Sequence, residues 1–121
     1  MTPPSPVRAP SADVVCGLCT VGEAGRVVDR LVFANLGWAP GARLEIRAEE
    51  HAVLVVSRRD DGPIAMRDGF FRIPYRMRRR VSLFVGDRVL LAGRLSRDRL
   101  AILPPAAMQE LLADALRLLE R

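Results

Sequence analysis

The chain has 121 residues, half of them apolar, and a formal net charge of +5 from 19 basic and 14 acidic side chains. That much apolar material suits one domain with a real core. No apolar run approaches the roughly 20 residues that span a bilayer and no signal-like stretch opens the chain, so a cytoplasmic protein without membrane association is expected.

Residues 1–13 are rich in proline and read as a disordered tail. Residues 14–21 are short, apolar and partly β-branched, which predicts a strand. Gly22 to Gly25 turns the chain, and residues 26–28 form a second short strand. Asp29 is a helix N-cap by residue type, and Leu31, Val32, Phe33 and Leu36 then suit about two helical turns. Gly37 stands where such a helix ends in the left-handed conformation. Residues 38–41 are a turn. Residues 42–48 alternate apolar and polar side chains, as a half-buried strand does. Glu49, Glu50 and His51 turn the chain, and residues 52–57 return. Residues 60–67 read as a linker. A strand over 70–73 follows, then Pro74 at a helix start, a short helix over 75–81, and a strand over 87–93. Residues 95–99 are a hairpin tip and 100–103 the return strand. From 104 to 121, Met108, Leu111, Leu112, Ala115, Leu116 and Leu119 recur at three- and four-residue steps. They predict one amphipathic C-terminal helix that covers an end of the domain or mediates dimerisation.

These elements come twice. Gly41-Ala42-Arg43-Leu44-Glu45-Ile46 returns forty-five residues later as Gly86-Asp87-Arg88-Val89-Leu90-Leu91, Leu36 and Trp38 return as Val81 and Leu83, and Asp29 falls where Pro74 stands. A fixed-period repeat decides architecture before any local pattern does. Two units this small are expected to share one core, giving a single domain over 14–103 with halves 14–59 and 68–103.

Strand, short helix, Leu-Gly-x-x-Pro-Gly turn and hairpin together resemble the AbrB/MazE/SpoVT swapped-hairpin family. The first half carries the pattern as Gly25-Arg26-Val27-Val28-Asp29 and then Leu36-Gly37-Trp38-Ala39-Pro40-Gly41. The second carries it as Gly69-Phe70-Phe71-Arg72-Ile73-Pro74, then Arg78, then Val81-Ser82-Leu83-Phe84-Val85-Gly86-Asp87. It departs from the family at Asp29, where Pro is usual, and at Phe70, where an Arg follows the Gly. The resemblance implies a mostly β fold, a swapped-hairpin β-barrel of two tandem βαβ-type repeats closed within one chain. It also implies a transcriptional regulator or antitoxin that binds double-stranded DNA through basic residues.

All 19 basic residues are Arg, a planar, permanently charged fork suited to phosphate oxygens and base edges. Residues 1–71 and 100–121 each balance to −1, whereas residues 72–99 hold nine arginines against Asp87 and Asp98, a balance of +7. A basic patch so localised attracts polyanions. At a hundred degrees per residue Met77 and Val81 share the core side of the second helix, with Arg76, Arg79 and Arg80 opposite. Those three, with Arg26 and Arg72 on the preceding strands, are the candidate nucleic-acid contacts; a solvated helix face is the plainer reading. Arg78 falls on the flank and matches the family's Arg after the Pro, so it is assigned an internal ion pair with Asp87. Arg94, Arg97 and Arg99 read as a solubilising loop, and Trp38 as a core plug below its turn. Cys16 and Cys19 form a lone CxxC; a closed zinc site needs four ligands, so two buried strand thiols are favoured over a metal site pooled between chains or a redox pair. One His, no Lys and no phosphate-cradling Gly-rich loop leave no recognisable catalytic constellation. A DNA-binding regulator without cofactor is therefore expected, as a monomer, homodimer or higher oligomer. A module docking a partner protein is the alternative.

Overall fold

The computed structural model describes residues 11–121; residues 1–10, most of the expected tail, lie outside the described part. The strands are β1 (Val14–Thr20), β2 (Arg26–Val28), β3 (Arg43–Ala48), β4 (Leu54–Arg58), β5 (Ile64–Ala65), β6 (Phe70–Arg72), β7 (Arg88–Arg94) and β8 (Arg99–Leu103). The helices are α1 (Arg30–Leu36), α2 (Tyr75–Arg80), α3 (Pro105–Leu111) and α4 (Ala113–Leu118). Single 3₁₀ turns lie at Glu23–Gly25, Glu50–Ala52 and Leu95–Arg97.

The fold is mostly β, as expected, in two antiparallel sheets. Six strands run in the order β1-β7-β8-β4-β3-β5, and β2 pairs with β6 alone. The larger sheet is open, with β1 and β5 as its edges, so the closed barrel expected from the resemblance is not what this order forms.

The halves are joined by pairings that repeat at the sequence offset. Strand β1 of the first half pairs with β7 of the second (Thr20 opposite Arg88), and β5, the counterpart of β1 at the forty-five-residue offset though it falls in the expected linker, pairs with β3 of the first (Ala65 opposite Arg43). Beyond each pair the same two bonds recur. Val21 N–H donates to Asp87 O at 2.8 Å and Met66 N–H to Ala42 O at 2.7 Å; Gly86 N–H donates to Val21 O and Gly41 N–H to Met66 O, both at 2.8 Å. Strand β4 meets β8 and β2 meets β6 across the same pseudo-twofold relation. Residues 60–67 are therefore more than a linker: they hold β5 and the buried Met66.

Helix ends repeat too. The Asp29 carboxylate accepts from Val32 N–H at 3.0 Å, capping α1 as its type predicts. At the far end Gly37 has φ +73°, Gly37 N–H donates to Ala34 O and Trp38 N–H to Phe33 O at 2.9 Å, a Schellman motif. Helix α2 ends in the same way, with Ser82 (φ +53°) in the glycine's place and Leu83 N–H donating to Arg78 O at 2.9 Å.

Both halves line one core. Phe33 at its centre lies 6.2 Å from the Trp38 ring and 5.5 Å from Phe71 of the other half, among Val27, Leu44, Val89 and Leu91. Trp38 is the expected plug, and its indole N–H donates to Asp98 Oδ1 at 2.7 Å. Truncating an aromatic so placed costs about 3–5 kcal/mol.

The termini differ from expectation. Asp13, read as tail, accepts from both the N–H and the hydroxyl of Ser96 at 2.7 Å and pairs with Arg94, so it ties the start of the described chain to the β7–β8 turn. The predicted single C-terminal helix is two, interrupted at Leu112 (φ −90°, ψ 4°). Only α3 docks, on β7, β8 and the Glu50–Ala52 turn, burying Ala107. Leu111, Leu112, Leu116, Leu118 and Leu119 remain exposed.

Candidate nucleic-acid interface

Three-residue strands β2 and β6 each bury only their middle residue, Val27 or Phe71. Alternation then turns Arg26 and Val28 of one, and Phe70 and Arg72 of the other, to the outer face. Register sets Arg26 directly opposite Arg72. Both guanidinium groups lie over the Phe70 ring, at 5.5 Å and 5.2 Å from its centroid. Like charges directly opposed on neighbouring strands destabilise a sheet, and no ion pair among the described residues relieves either arginine. The Phe70 face returns part of that cost as cation–π attraction.

Gly25, before β2, has φ +82°, and a Cβ there would meet Ile73 O at 2.4 Å and Arg78 Nε at 2.8 Å. The missing side chain leaves room for Arg78 to lie across the β2–β6 junction. Arg78 Nε donates to Ile73 O at 3.1 Å, and its guanidinium sits 5.4 Å from the Tyr75 ring centroid. The expected ion pair with Asp87 is not formed. Asp87 Oδ2 instead accepts from Phe84 N–H at 2.9 Å, closing its own turn. A carboxylate three residues after a free turn N–H is satisfied locally, and Arg78 finds a carbonyl within its own connection.

Helix α2 borders β3 and the Glu23–Gly25 turn and buries no residue fully. Arg76, Arg79 and Arg80 are exposed, as predicted, and enter no ion pair of the described residues. Arg79 lies 5.9 Å from the Tyr75 ring centroid. Tyr75, Phe84 and Val85 stand exposed along a hollow with Arg78 and Arg79, so aromatic and apolar surface interleaves with the charge.

The structure thus brings Arg26 and Arg72 together, with Arg78 nearby and Arg79 on the same aromatic rim. It records no contact that gathers Arg76 and Arg80 with them. Two contributors escape the sequence reading. Arg67 lies in the supposed linker, yet it lines one cleft with Arg72 and Arg78. Phe70 is the stacking surface, and its departure from the family pattern was the available signal. At the β7–β8 tip Arg97 and Arg99 line a second basic hollow with Arg47, Arg58 and Arg59, whose two carboxylates, Asp98 and Glu45, are already paired by Arg58 at 2.9 Å and by Arg59 at 3.0 Å.

Cys16 and Cys19 do not form a common site. Three residues apart on β1, they point to opposite faces, Cys16 exposed and Cys19 half-buried. Cys16 therefore corrects the expectation of two buried thiols. Burial pushes the Cys19 thiol up, against a lowering by its hydrogen bond with the Val28 backbone. No cluster of metal-ligating side chains occurs among the described residues, and no helix of theirs is long and apolar enough to cross a membrane.

The chain is thus a mostly β domain of two interlocked repeats, with an uncompensated arginine surface on its smaller sheet. Compared with family models, curated proteins and solved structures, it matches none.

Proposed function

We propose that the chain is a DNA-binding transcriptional regulator of the swapped-hairpin, AbrB-like type, contacting phosphates and base edges of double-stranded DNA through arginines. The carrying observation is Arg26 opposed to Arg72 over Phe70, two like charges held together without a counter-ion. A phosphate between them would convert repulsion into two charge-assisted bonds. Exchange of β1 and β5 between the halves supports the swapped-hairpin plan. Arg76, Arg79 and Arg80 extend the surface on α2 and supply further phosphate contacts, which set affinity while base contacts set specificity.

Gel shifts on genomic fragments across a salt series test this. Four to six phosphates neutralised give a slope of log affinity on log salt of about −4 to −5. Arg76→Ala, Arg79→Ala and Arg80→Ala together weaken binding with the fold intact. A flat salt response refutes the reading.

A second reading, a module docking a partner protein as an antitoxin or adaptor does, rests on the exposed leucines of α3 and α4. A stoichiometric protein retained by the chain and released on Leu116→Glu would favour it over DNA binding.

A further inference from the structure

Between β5 and the β6–α2 connection lies a cleft of about 300 Å³, lined on one side by Pro63, Ile64 and Ala65 and on the other by Ile73, Pro74 and Tyr75. Arg67, Arg72 and Arg78 reach it from three separate segments, and no carboxylate lines it. The nearest acids along the chain are absent from the lining: Asp61 pairs with Arg59, Asp68 pairs with Arg30, and Glu23 is exposed. Three permanent charges facing a concave, partly apolar wall raise the local potential that a small anion meets.

The arginines are also partly pre-set. Arg78 is half-buried, with its Nε committed to Ile73 O and its face against Tyr75, which leaves its terminal nitrogens to donate. Arg72 is steadied over Phe70. Guanidinium groups fixed in this way lose less freedom on binding and match tetrahedral oxyanions with paired donors. We propose that this cleft seats a phosphate group, with Arg67, Arg72 and Arg78 donating to its oxygens and Tyr75 walling one side. The seat rests in part on the DNA reading, because its phosphate comes either from a bound duplex or from a free phosphorylated small molecule.

The full-length chain is titrated with inorganic phosphate and with pyrophosphate at constant ionic strength, chloride as control, following the arginine Nε–Hε resonances. Saturable movement of the Arg78 signal is expected, with affinity reduced about tenfold by Arg67→Gln. Arg78→Lys, which keeps the charge and removes the held Nε donor, weakens it likewise while circular dichroism stays unchanged. Pyrophosphate that displaces a bound duplex assigns the seat to a backbone phosphate; pyrophosphate that binds beside an undisturbed duplex assigns it to a free ligand. Saturable binding by a chain that shifts no duplex at any salt keeps the seat and overturns the DNA reading. No response to either anion beyond chloride overturns the seat, whether or not duplex binds.

Discussion

Replacing Arg72 by Glu tests whether the β2–β6 arginine pair is a stability cost retained for binding. Both guanidinium groups sit within 5.5 Å of the Phe70 centroid, and at separations of roughly 5–10 Å two unit charges interact by about 0.4–0.8 kcal/mol in water. Turning repulsion with Arg26 into attraction therefore changes stability by about 1 kcal/mol once side-chain mobility is allowed for. Against it stands the loss of the Arg72 stack over Phe70, about 0.5–1 kcal/mol at an exposed site. The two nearly cancel at low salt, so a single measurement would be uninformative. Salt separates them: at about 1 M the Debye length falls to about 3 Å and the Coulomb part disappears, while the stacking loss largely remains. Urea unfolding of both proteins at about 20 mM and about 1 M salt is expected to show the variant losing about 1 kcal/mol relative to the parent as salt rises. The same substitution lowers the DNA salt slope by about one or more. A stability difference that ignores salt would mean that Arg26 and Arg72 do not feel each other, and the argument from an opposed pair would fail.

Ser82→Gly is expected to stabilise by about 0.5 kcal/mol, because a left-handed non-glycine costs about 1–2 kcal/mol and glycine's extra unfolded-state freedom offsets part of it; Gly37→Ser destabilises by a comparable amount, both read by urea unfolding. Alkylation followed by mass spectrometry is expected to label exposed Cys16 well before Cys19, whose thiol is half-buried and pushed up; equal rates would contradict the strand's alternation. Hydrogen bonds from Ser96 and the charge of Arg94 hold the Asp13 carboxyl below the usual carboxylate range, so its anchoring of the β7–β8 turn persists above that range and is lost as pH falls through the lowered value. The Ser96 amide resonance, followed down in pH, reports it, and Asp13→Asn should abolish the step.

Much of this architecture was written in local sequence. Gly41 and Gly86, at φ +90° and +95°, mark the start of β3 and β7 because a left-handed turn there excludes most side chains. Asp29 and Gly37 bound α1 through backbone groups within four residues, so residue type suffices to find them. What escaped is long-range. The two residues of β5 are too few to show alternation and become a strand only because β3 offers an edge. The leucine period after residue 105 presupposes a face to bury, and past Leu111 none is present among the described residues. The helix flank and the match to the family's Arg after the Pro point Arg78 to Asp87, whereas Asp87 is already satisfied by its own turn.

The most telling comparison is between Phe33 and Arg78, which the repeat offset makes equivalent. Each supplies the carbonyl that closes its helix, to Trp38 N–H and to Leu83 N–H, both at 2.9 Å. One helix drives that residue into the core, where Phe33 is 1% exposed against Phe71. The other leaves it half-buried, held by Ile73 O, at the edge of a cleft lined by arginines. Phe33 packs between Trp38 of its own half and Phe71 of the other, so the first half fills the shared core at this position. The second helix packs on the core only through half-buried Met77, which is why α2 tolerates four arginines and no fully buried residue. On this argument Arg78→Phe adds little stability, because position 78 borders an open cleft rather than the closed core, whereas Phe33→Arg unfolds the domain by forcing an unpaired charge into the core. Paired denaturation curves would decide it: comparable losses from the two substitutions would mean that the halves still share the core equally.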